Sequence, residues 1–280
     1  MKIKFWGVRG SVAGPGEDTV FYGGNTSCIE LRAANNDLII LDAGTGIRKL
    51  GNAIVGNQED TNFSLFLSHA HWDHIEGLPF FKPLYFKKYR VGIYGSPPKN
   101  QRLKSVINHA LHQPYFPVSM KELKADISFH DITELSIKVG TLTVDIIPVN
   151  HPSHTVAFRF SEQDKKIIYM TDNELFCPTS VITPYEQLIE FCRNVDILIH
   201  DAMYTHEEWN DHKGWGHSSI PNAVQLGLDA QVKLLILHHH DPERTDKQED
   251  AIVKTIQTQI KKQKSSMICE AAREGFEIEV

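Results

Sequence analysis

Cysteine is scarce and scattered in these 280 residues: Cys28, Cys177, Cys192 and Cys269 form no C-x-x-C pair. That excludes a zinc ribbon, a thioredoxin-like site and a secreted disulfide scaffold. No apolar run approaches the ~18 residues that a membrane span needs. The opening stretch Met1–Gly7 reaches a glycine too early for a secretory leader. The expectation is a cytoplasmic protein with no membrane partner. Repeats, low-complexity tracts and linker-like stretches are also lacking, so one domain over 1–280 is expected. Arg9–Gly16 is rich in glycine but has no G-x-x-x-x-G-K-[ST] pattern, which excludes a P-loop.

Acidic residues are missing from one long segment. Between Gly77 and Lys121 there is no Asp or Glu, against eight basic residues: Lys82, Lys87, Lys88, Arg90, Lys99, Arg102, Lys104 and Lys121. The net charge is −6, so the rest of the chain, with 21 basic and 35 acidic side chains, carries −14. One basic stretch on an acidic body suggests a local anion site and not a nucleic-acid coat. Elsewhere the composition is ordinary, with 41% hydrophobic and 23% charged residues, and the chain is long enough to bury a core without disulfides.

Strands dominate the pattern. Lys2–Val8, Ser27–Ala33, Leu38–Asp42 and Phe63–Leu67 form a first group, with a helix over Ile47–Ile54. The basic segment is expected to hold two short helices, the second near Gln101–His112, around a Val91–Tyr94 strand. A second group follows: Ile127–Phe129, Leu142–Pro148, Val156–Phe160 and Lys166–Met170. Strands Asp196–His200 and Lys233–Leu237 then alternate with helices near Ser218–Leu228 and Lys247–Lys262. Short strands near Met267–Glu270 and Phe276–Val280 close the chain. Two strand groups, each ending in helices, predict two sheets face to face with helices outside, an α/β sandwich.

Ten of the fifteen histidines fall in four short clusters. The richest is Ser68-His-Ala-His-Trp-Asp-His74, directly after a strand. Three imidazoles and a carboxylate within six residues suit a borderline cation such as zinc, manganese or iron. His69 and His71, two apart on an extended turn, can grip one ion. Asp73 and His74 begin the next helical turn and point elsewhere, which leaves room for a second. His151 and His154, Asp172, and His238–His240 also follow strands, as a site at one sheet edge requires. Asn25 is read as a turn residue.

The run His69-x-His71-x-Asp73-His74, followed in order by His151, Asp172 and His239, resembles the metallo-β-lactamase superfamily. The resemblance spans nearly the whole chain and implies a four-layer αββα sandwich. It is nearest to the branch holding ribonuclease Z, PhnP-type cyclic phosphodiesterases and class II cyclic-nucleotide phosphodiesterases. Leu41-Asp-Ala-Gly-Thr-Gly46 resembles that branch's Asp-x-Gly turn. His200-Asp-Ala-Met-Tyr204 resembles its His-Glu-Ala-x-Phe motif, and Gly216-His-Ser-Ser219 its Gly-His-Ser/Thr motif.

The resemblance implies that His69, His71 and His151 hold one divalent ion and that Asp73, His74 and His239 hold another. Asp172 would bridge them. Zinc is expected ahead of manganese or iron. His240 is the alternative last ligand, while Asp42 is expected to orient a ligand and His154 to lie outside the ligand set. Such paired ions, about 3.5–4 Å apart, lower the pKa of a bridging water toward about 7 and clamp the oxygens of an in-line displacement. The resemblance further implies that Asp201 fixes His217, which protonates the leaving oxygen, and that Asp73 belongs to the catalytic set. Asp201 stands where the branch carries Glu.

Substrate size turns on the basic segment, where Phe80, Phe81, Tyr85, Phe86, Tyr89, Tyr94, Tyr115 and Phe116 interleave with the positive charges. Stacked bases over a lid-like 77–121 are one reading, and a cover of core aromatics with solvated lysines is the other. The long Gly/Pro-rich basic arm with which ribonuclease Z grips tRNA is missing. A small phosphodiester such as a cyclic nucleotide is therefore expected ahead of RNA. Ribonuclease Z-like cleavage and lactone or thioester hydrolysis are the alternatives, and the family suggests a homodimer.

Overall fold

The structure, a computed structural model, describes residues 1–57, 60–112, 116–177 and 181–280. Tyr115, one of the aromatics of the basic segment, lies outside the described residues. The chain first lays down β1 (Lys2–Gly7), β2 (Cys28–Arg32), β3 (Leu38–Leu41), helix α1 (Ile47–Asn57), β4 (Asn62–Leu67), the one-turn α2 (Trp72–Ile75), β5 (Arg90–Gly95), α3 (Leu103–Ala110) and β6 (Asp126–Asp131). It continues through β7 (Ser136–Val139), β8 (Leu142–Pro148), β9 (Val156–Glu162), β10 (Lys165–Met170), α4 (Tyr185–Cys192), β11 (Ile197–Asp201) and α5 (His206–Asp211). Helix α6 (Ile220–Asp229), β12 (Leu234–His238), α7 (Asp246–Lys262), β13 (Ile268–Ala271) and β14 (Glu277–Glu279) complete it.

These strands make two seven-stranded mixed sheets, ordered β14-β1-β2-β3-β4-β5-β6 and β13-β12-β11-β10-β9-β8-β7. In each sheet an antiparallel part gives way to a parallel one, at β3–β4 and at β10–β11. Alternating side chains separate the layers. Phe5, Ile29, Leu41 and Phe66 of one sheet meet Phe158, Phe160, Ile167 and Ile199 of the other in a buried central core. The opposite faces pack outward, Leu38, Ile40 and Leu65 against α1 and α3, and Ile168, Leu198 and Leu235 against α4, α6 and α7. The result is the αββα sandwich.

One expected element is corrected. The first helix of the basic segment is two separate 3-10 turns, Leu78–Phe80 and Lys82–Tyr85, because Pro79 and Pro83 cannot donate to a continuous α-helical ladder. The aromatics there divide: Phe81 and Tyr89 are fully buried in the outer core, while Phe80 and Phe86 remain exposed. The topology also fixes a common edge. Strands β3, β4, β8, β10, β11 and β12 all deliver their C-terminal ends to it. Asp42, Asp172 and His239, each just beyond a strand, have φ of 58°, 50° and 62°. Among non-glycine residues this left-handed region is several-fold enriched in Asn, Asp and His.

Candidate metal centre

Strand β4 feeds the Ser68–His71 loop and then α2, which places His69, His71, Asp73 and His74 at the shared edge. Strands β8, β10 and β12 bring His151, Asp172 and His239 to the same place. The donor atoms of His69, His71, His151 and Asp172 lie within 4.8 Å of one another, as do those of Asp73, His74, His239 and Asp172. Asp172 belongs to both groups and divides its carboxylate between them. Its Oδ1 is 3.6 Å from His69 Nε2 and 4.0 Å from His151 Nε2. Its Oδ2 is 3.1 Å from His74 Nε2 and 3.3 Å from His239 Nε2. The fit to cations is visible in the protein's own polar accounting. The Nε2 atom of His69 is buried without a hydrogen-bond partner, a costly state unless a ligand completes it.

Protonation divides the two groups. Burial pushes His69 well below its usual range and lowers His151 to about 4, so both imidazoles are neutral and able to ligate. Burial would also raise Asp172 and Asp73, yet the surrounding imidazoles hold both well below the usual carboxylate range. Burial alone would lower His74 as well, but Asp73, Asp172 and Asp42 raise it well above its usual value.

The donors are held from behind. Asp42 lies 2.7 Å from His74 Nδ1 and accepts from the backbone and hydroxyl of Ser68 (2.8 Å each) and from Tyr169 OH at 2.7 Å. The Gly216 carbonyl sits 3.0 Å from His151 Nδ1. Ser11 N–H donates to Asp73 Oδ2 at 2.7 Å. Such outer partners set ring orientation and ligand basicity.

Asp201, at the end of β11, accepts from Ser218 N–H and pairs with His217 Nδ1 at 2.7 Å. Burial opposes a charge on His217, but Asp201 and Asp172 outweigh it and raise the imidazole to about 9. Asp201 Oδ2 is also 3.5 Å from His239 Nδ1, so the pair abuts the second donor group. The remaining sequence candidates separate. His240 turns away to the Ala272 carbonyl at 2.9 Å and to Glu249, and His238 faces the Gly7 carbonyl. His154 bonds Ser96 at 2.9 Å, and Asn25 anchors a turn on Glu274.

A family model described as a β-lactamase superfamily domain matches residues 37–240, which hold all seven donors and the Asp201–His217 pair. The chain belongs to the β-lactamase superfamily. Among relatives, ribonuclease Z of Azobacteroides pseudotrichonymphae genomovar. CFP2 is 27% identical over 241 residues, covering 73% of this chain and 78% of that one. A diphosphatase from the PhnP family superposes with a TM-score of 0.70 at 18% identity, covering 100% of this chain and 97% of that one. The short form of human tRNase Z does so with 0.66 at 19%, covering 100% and 99%. This superfamily member is thus similar in sequence to a ribonuclease Z and shares its fold with a PhnP-family diphosphatase and a tRNase Z.

Sequence reasoning missed several supports of this superfamily site. Buried Glu174 accepts from Gly214 and Gly216 N–H at 2.8 to 3.0 Å and so shapes the loop before His217. Gly10 and Gly216 have no side chain because a Cβ would strike the rings of His239 and His151 respectively. The glycines of the Arg9–Gly16 stretch and of Gly216-His-Ser-Ser219 were the available signal.

Proposed function

We propose that the protein is a binuclear metal-dependent phosphodiesterase acting on a small phosphodiester such as a cyclic nucleotide. The observation that carries this reading is the division of Asp172 between two histidine sets, with the hydrogen-bonded Asp201–His217 pair beside them. His69, His71 and His151 would hold one ion, Asp73, His74 and His239 the other, and Asp172 both, with zinc the metal best suited to this nitrogen–oxygen donor set. When bound, such ions supply an activated water at neutral pH and fixed positive charge for the phosphoryl oxygens.

The chain's own residues do the rest. Asp42 and the Gly216 carbonyl fix the ring orientations of His74 and His151. Asp201 holds His217 by Nδ1, which leaves Nε2 to deliver a proton to the leaving oxygen. The aspartate in place of the branch's glutamate still reaches its histidine at hydrogen-bond length.

Two charges of the basic segment are engaged elsewhere, which supports a small substrate over folded RNA. Arg90 begins β5, at the sheet edge opposite the donors, and Arg102 pairs with Asp131 at 2.8 Å. Ribonuclease Z-like cleavage is the second reading, favoured by the named relative. No helix among the described residues is long and apolar enough to cross a membrane. The test is a panel of 2′,3′- and 3′,5′-cyclic nucleotides, bis(p-nitrophenyl) phosphate, precursor tRNA and a lactone, with zinc or manganese. Turnover of cyclic nucleotides supports the reading. Cleavage confined to precursor tRNA replaces it with the nuclease, and activity confined to the lactone overturns phosphodiester chemistry.

A further inference from the structure

Beside the His69–His71 loop, a cavity of about 140 Å³ opens between the ends of β4 and β5. His69 and His71 form one wall, so whatever fills it lies next to the first donor group. The other walls are mostly apolar, with Leu67, Pro97, Pro98 and Val106 among them, and Gln101 and Ser153 add polar groups. Within the lining, the Ser96 hydroxyl is hydrogen-bonded to His154 Nε2 at 2.9 Å, a histidine that the metal centre leaves unused. An apolar recess with a few placed polar groups is the usual build of a small-ligand site. Its size suits one ring, since an enclosed cavity of about 150 Å³ accommodates a benzene-sized ring.

We propose that this recess receives a single six-membered ring of the substrate, the pyrimidine base of a nucleotide, and that His154 and Ser96 hydrogen-bond its polar edge. The inference rests on the phosphodiesterase reading and names its substrate class. A purine places its second ring against Pro97 and Pro98 or stays outside and forgoes the burial. Differences of this kind between apolar pockets and imperfect occupants are worth about 10–200-fold.

The test is calorimetric titration of the zinc-loaded protein with uridine 3′-monophosphate, adenosine 3′-monophosphate and ribose 5-phosphate. The uridine nucleotide is expected to bind at least about tenfold more tightly than the other two. Val106→Trp, which fills the recess, and His154→Ala, which removes its polar gate, are each expected to bring that ratio close to one. Equal affinities, a purine preference, no binding, or an unchanged ratio in both variants would overturn the proposal. If Val106→Trp does not fold, His154→Ala decides alone. Selective uridine binding by a protein that hydrolyses no phosphodiester leaves the recess and removes the enzymatic reading. Turnover of cyclic nucleotides without base preference does the reverse.

Discussion

Asp172 and His217 approach to 3.9 Å, yet their surroundings suit them to different work. Asp172 faces four histidines besides His217, and His217 is tied to a carboxylate that no other imidazole approaches so closely. Replacing His217 with Ala should leave metal content intact and lower kcat on an alkoxide-leaving substrate by about 10²–10⁴-fold. A p-nitrophenolate leaving group, which needs no proton, should lose much less. Steady-state kinetics on both substrates checks this, and equal losses would mean that His217 acts structurally. At this scale the sequence was readable where the residue type carries the chemistry, as in His69-x-His71-x-Asp73-His74. It was not readable among His238, His239 and His240. There the left-handed turn at His239, with Gly10 packed on its ring, decides which imidazole faces the centre.

Elements convert strand order into proximity, because parallel neighbours must end at the same edge. The loop 212–217 has no strand to hold it and depends on Glu174 and on glycine at 216 (φ 93°). Gly216→Ala adds a Cβ that collides with the His151 ring in a backbone conformation unfavourable to alanine. The variant should fold but weaken metal binding at the first donor group by about 10–100-fold, the scale of lost outer-shell support. Competition with a chromogenic chelator reads the affinity, and wild-type affinity would refute the collision. Long alternating strands were legible in the sequence. Edge strand β7 and helices α4 and α5 were not, since four to eight residues with few buried positions give too short a period to recognise. Their existence follows from what they pack against.

On the scale of the molecule, the donors join the two sheets: β4 and its following helix come from one, β8, β10 and β12 from the other. Bound ions should therefore stabilise the sandwich as well as activate it. A ligand at a thousandfold its dissociation constant contributes about 4 kcal/mol, which in a chain of this size corresponds to about 10 °C in Tm. Calorimetry after chelation should show a fall of that order, reversed by zinc, and an unchanged Tm would separate the cluster from folding. The sandwich itself was legible from the two groups of strands. The recess beside His69 was not, because its walls come from residues about thirty to ninety positions apart in the chain, which only the fold assembles. The most direct measurement is the metal content of wild-type and Asp172→Ala protein after equilibrium dialysis against zinc, read by plasma mass spectrometry. Two ions per wild-type chain and fewer than one in Asp172→Ala are expected, whereas two ions retained in the variant would contradict a shared carboxylate.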